Sequence, residues 1–125
     1  MRLGVVVLAL AVITGACASS AKPQAVAHTE MREGVKAAQR GYWQEALFRF
    51  ERAHNVDPKN AAILNNLAVA FEALGRYAEA LATYKQALQD TPKSSAIRKN
   101  YARFAEFYTS YAKGVKPKEG SDAPR

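Results

Sequence analysis

Apolar and small residues in the middle of this chain fall at Leu64, Leu67, Ala68 and Phe71, one face of a helix in a segment that is otherwise mixed. Further on, Ile97, Tyr101, Phe104, Tyr108 and Tyr111 follow one another at steps of four, three, four and three, a single aromatic stripe along a second helix. The pattern also repeats over a longer range. Gly41, Trp43, Glu45, Ala46, Leu47, Phe50, Ala53 and Pro58 return 34 residues later as Gly75, Tyr77, Glu79, Ala80, Leu81, Tyr84, Ala87 and Pro92. A fixed period of this size predicts stacked helix–turn–helix units, none of which buries its apolar face alone.

Each repeated position has a physical reason. Gly41 and Gly75 fall between two amphipathic stretches, where a tight turn needs positive φ. Ala46 and Ala53, with their counterparts Ala80 and Ala87, put small residues on one helical face and admit a neighbouring helix closely. Trp43, Phe50, Tyr77 and Tyr84 fill the space between helix pairs. Pro58 and Pro92 end the second helix of each unit and bias the preceding residue away from helical geometry.

Small, aromatic, alanine and proline positions in this order resemble the tetratricopeptide repeat. Residues 61–94 match nearly throughout, and residues 27–60 match well from Gly41 to Pro58. The first helix of that earlier unit departs, with Glu30 and Glu33 at expected apolar positions, although Gly34 sits where the family favours a small residue. A third unit opens at Ser95 but has Thr109 where the turn glycine belongs. The resemblance implies an all-α fold: a short solenoid of two repeats, 27–60 and 61–94, closed by a capping helix over 95–113 that Ser94 or Ser95 starts. The alternative for the aromatic stripe is that Phe107 and part of the tyrosine row stay exposed and dock a partner or form a homodimer.

The beginning of the chain carries a different signal. Arg2 precedes an 11-residue apolar run from Leu3 to Ile13, too short to span a bilayer, and Gly15 and Ala16 lead to Cys17, the one cysteine. Residues 1–16 read as an export signal. Ile13-Thr14-Gly15-Ala16-Cys17 resembles the bacterial lipoprotein signal, in which the cysteine carries the acyl chains; Thr14 departs from its usual leucine. Cleavage after Ala18, at the A-x-A sequence Ala16-Cys17-Ala18, is the alternative and gives a secreted soluble module. The resemblance implies a lipidated Cys17, a flexible tether over 17–26, and an outer-membrane protein facing the periplasm, since Ala18 is not the aspartate associated with inner-membrane retention. Residues 114–125, rich in Gly, Pro, Lys and Ser, read as a disordered tail.

Catalytic chemistry has no candidate. His28 and His54 lack a second ligand at metal-binding spacing, and no nucleophile elbow or phosphate-binding glycine loop occurs, so neither an enzyme, a metal nor a cofactor is expected. His54 is read as a residue near a helix end. Of 18 basic and 11 acidic residues, Arg2 leaves with the signal, for a net charge of +6; the basic residues are scattered, which argues against nucleic acid. The concave face, built from the first helix of each unit, should present Ala62, Asn65, Asn66, Val69 and Glu72, with Arg32 and Val35 on one side and Lys99, Asn100 and Arg103 on the other. That face reads as a cradle for a peptide of a protein partner. The carboxylate clamp of some chaperone-binding members is not reproduced, because Met31, Val35, Ala96 and Asn100 replace its other residues. The function so implied is a lipid-anchored interaction scaffold in assembly of an envelope complex, with a structural subunit that oligomerises by stacking as the alternative.

Overall fold

The computed structural model describes residues 22–114, and among them the chain forms five helices: α1 (Pro23–Gln39), α2 (Trp43–Val56), α3 (Ala61–Ala73), α4 (Tyr77–Asp90) and α5 (Ser95–Ala112). The two repeats are the antiparallel pairs α1–α2 and α3–α4. Their turns share one mechanism. Gly41 and Gly75 take φ of 79° and 73°, and the N–H of the next residue reaches back, Tyr42 to the Ala37 carbonyl and Arg76 to that of Phe71. These bonds satisfy carbonyls left open at the helix end.

Helix starts are set by different residues. Asn60 caps α3, its Oδ1 accepting from the N–H groups of Ala62 and Ile63, and Ser94 caps α5 by accepting from Ile97. Pro23 begins α1, where its missing N–H costs nothing. Residues 23–26, expected to belong to the tether, are therefore the first turn of α1. The signal, Cys17 and residues 115–125 of the expected tail lie outside the described residues.

One core runs through both repeats. Ala46, Ala53, Ala80 and Ala87 are fully buried, as are Tyr84 and Phe104, with Phe50 at 2% exposure. The alanines bring helices together and the rings fill between them. Gly34 is a close approach of α1 to α2: a Cβ there would lie 2.6 Å from Phe50 Cε1. The stripe on α5 mostly seals the end of the second repeat. Phe104 packs between Tyr84 and Tyr108, with ring centroids 5.6 and 5.7 Å away. Phe107 meets Tyr77 edge-on at 5.1 Å and is half-buried, while Tyr111 stays 57% exposed. Arg98, Ala102, Glu106 and Thr109 make the outer row of α5 and are all exposed. A polar outer row is what a terminal cap requires.

Candidate functional site

The first helices of the repeats, α1 and α3, enclose a cleft of about 400 Å³. Val35, Ala38 and Gln39 come from α1, Asn66 and Val69 from α3, and Trp43 and Phe50 from α2 form the rest of the lining. Helical periodicity explains the set: positions 35, 38 and 39 share one face of α1, and 66 and 69 share one face of α3. The walls are mainly apolar, with two side-chain amides. Gln39 is exposed and Asn66 half-buried, so each keeps a donor and an acceptor for a peptide backbone. Of the residues expected on the concave face, Val35, Asn66 and Val69 line this cleft.

The other expected groove residues divide. Asn65, Asn100 and Arg103 come together on a second, polar seam between α3 and α5. Asn100 Nδ2 donates to Asn65 Oδ1 at 3.0 Å, and Arg103 Nη2 donates to Glu72 Oε1 at 3.2 Å. Lys99 is exposed beside them without an ion pair among the described residues. Arg32 is not part of the cleft lining; it is exposed and 3.5 Å from Glu33.

Glu72 corrects the sequence expectation of a groove-facing carboxylate. It is 3% exposed and also accepts a 3.0 Å hydrogen bond from the Tyr84 hydroxyl. Burial pushes its carboxyl above the ordinary value, and the bonds from Tyr84 and Arg103 offset only part of that. Burial and the neighbouring Glu72 carboxylate likewise hold the Tyr84 hydroxyl protonated to well above its usual range. Three helices are tied at this point, and Arg103 is spent on the tie.

Glu30 behaves similarly in the first repeat. It is 7% exposed and accepts from Arg49 Nη1 at 3.1 Å and Arg52 Nε at 2.9 Å, so a carboxylate replaces an apolar contact without being stranded. Both buried carboxylates had a visible trace in the 34-residue register. Glu72 and Tyr84 stand where the first repeat has Ala38 and Phe50, and Glu30 stands where the second has Leu64. A polar pair replaces an apolar pair together.

His54 lies in the last turn of α2, as its position suggests. Among the described residues no group of three His, Cys, Asp or Glu side chains could hold a metal ion. No described helix is long and apolar enough to cross a membrane. A sequence model of the tetratricopeptide repeat matches residues 37–104, from the last turns of α1 into α5. No curated protein matches the chain.

Proposed function

The chain belongs to the tetratricopeptide repeat family, and on that premise we propose that it is a lipid-anchored scaffold of the bacterial cell envelope that holds a protein partner in the α1–α3 cleft. Repeats of this family generally mediate protein–protein interaction. The observation that carries the reading is the cleft itself: a concave, mostly apolar space of about 400 Å³ with the amides of Gln39 and Asn66 on its walls. An apolar side chain of the partner fills the space between Val35, Trp43 and Val69, and its backbone pairs with the amides.

The anchor rests on Ile13-Thr14-Gly15-Ala16-Cys17, and the outer-membrane, periplasm-facing address on Ala18. Multiple acyl chains on Cys17 give a stable attachment where one would be marginal. Action is then passive. The tether confines the cleft near the membrane and raises the effective concentration of a partner in an envelope complex there. Oligomerisation by stacking at the C-terminal end is disfavoured by the polar outer row of α5.

The test has two arms. Intact mass and membrane fractionation should show a diacyl or triacyl adduct that Cys17→Ser abolishes; an unmodified chain starting at Ser19 would instead make it a free secreted module. Asn66→Ala with Val69→Arg should abolish partner association with helical content unchanged. Undiminished association would remove the cleft from the account. Arg103→Glu is unsuited to this purpose, because it would set a second carboxylate against buried Glu72.

A further inference from the structure

Where the chain leaves its anchor fixes which edge of the solenoid meets the bilayer. Four residues separate Cys17 from Lys22, and α1 starts at Pro23. The five steps from Cys17 to Lys22 span at most about 18 Å fully extended. The first turns of α1 and α3 lie together, since Ala27, Ala53 and Ile63 form one buried cluster. Asn65, early in α3, bonds Asn100, early in α5. The starts of all three helices therefore share one edge, and that edge lies next to the anchor.

The same edge is basic. Lys22, Lys59, Lys93, Arg98 and Lys99 are all exposed there. None of the five forms an ion pair among the described residues. Lys59 and Lys93 are repeat counterparts, each directly after the proline that closes a unit. Two carboxylates accompany them: Asp57, which accepts a hydrogen bond from Asn60, and the exposed Asp90. The cations outnumber the carboxylates, and each lysine or arginine near an anionic lipid surface adds attraction of ~1 kcal/mol.

We propose that this edge, carrying Lys22, Lys59, Lys93, Arg98 and Lys99, is the membrane-facing surface and contacts anionic lipid headgroups. The inference rests on the lipidation of Cys17 proposed above. The 17 residues of α1 then rise about 25 Å from the headgroups. Val35, Gln39 and Trp43 sit toward the far end, which holds that end of the cleft clear of the bilayer. Tyr42 and Tyr111, 64% and 57% exposed, lie on the opposite edge and face away from lipid.

The experiment uses the lipidated protein in phosphatidylcholine–phosphatidylglycerol vesicles, labelled at single introduced cysteines, the native one being acylated. Probes at Lys59→Cys and Lys93→Cys should be quenched by a headgroup-borne quencher, and probes at Tyr42→Cys and Tyr111→Cys should not. Equal quenching at all four sites, or the reverse order, overturns the proposal while leaving the anchor intact. A chain without an acyl adduct fails the anchor reading and takes this one with it. Lys22→Glu with Lys99→Glu, the probes at positions 59 and 93 kept, should leave the adduct and membrane fractionation intact yet lose the difference between edges. An unlipidated Cys17→Ser chain should bind the same vesicles about fivefold less for each lysine removed. No change in either assay would refute the headgroup contact.

Discussion

Gly34→Ala should destabilise this protein, although glycine-to-alanine changes inside helices normally stabilise by about 1 kcal/mol. Gly34 lies in the interior of α1 against α2. The added Cβ would sit 2.6 and 2.7 Å from Phe50 Cε1 and Cδ1, and 3.1 Å from Arg49 Cβ. Neither neighbour gives way freely: the Phe50 ring is 2% exposed within the main core, and Arg49 Cβ is fixed to the α2 backbone. Overpacking of this kind costs about 1–3 kcal/mol, so a net loss of roughly 1 kcal/mol remains after the propensity gain. For a domain this size that lowers Tm by about 4–8 °C. Urea unfolding followed by Trp43 fluorescence reads the effect, because Trp43 and Phe50 line one cleft. The decisive comparison is the size of the effect in two backgrounds. With Phe50→Leu already present the ring is gone and the 3.1 Å approach to Arg49 Cβ remains, so Gly34→Ala should cost about 1 kcal/mol less than in the parent. Stabilisation in the parent, or an equal effect in both backgrounds, would refute close packing at Gly34.

Other consequences follow from the buried carboxylates and the caps. Glu72 has a raised carboxyl, so its favourable contribution is complete below its ordinary value of 4.5 and is lost as pH rises through the higher folded value. Glu72→Gln should therefore be the more stable protein at pH 7 and lose that advantage in acid; a lower Tm at pH 7 would contradict the burial argument. Arg49→Met with Arg52→Met strands Glu30 and should cost about 3 kcal/mol in denaturant unfolding. Glu30→Met, which leaves two partly exposed arginines, should be near neutral, and equal costs would show that Glu30 is not held as described. Asn60→Ala removes a cap that accepts two N–H bonds and should cost about 1 kcal/mol by thermal melting, more than Ser94→Ala, whose single bond is 3.4 Å long.

The parts legible in the sequence are those fixed by local spacing. Gly41 and Gly75 declare turns because only glycine takes positive φ without strain, and the alanine and aromatic positions of α2 and α4 recur with the helical period. Asn66 and Val69 follow from the same periodicity, which fixes the outward face of α3. Glu30 and Glu72 escaped because polarity along a chain reads as solvent exposure. Burial of each depends on donors far away in sequence, from Arg49 and Arg52 to one and from Tyr84 and Arg103 to the other. Spacing within a helix cannot reveal such partners, although comparing the two repeats position by position does hint at them. Arg103 looked like a free groove cation for the same reason. The early start of α1 follows from Pro23, which ends an extended segment and opens a helix equally well.

The central claim is that the α1–α3 cleft is the surface that holds a partner. Photo-crosslinking from a reactive residue placed at Asn66, Val69 or the exposed α4 position Gln86, in cells making the lipidated protein, tests it most directly. The account predicts one discrete adduct from positions 66 and 69, lost with Val35→Arg, and none from position 86. Adducts from position 86 alone, or the same adduct from all three positions, would contradict it.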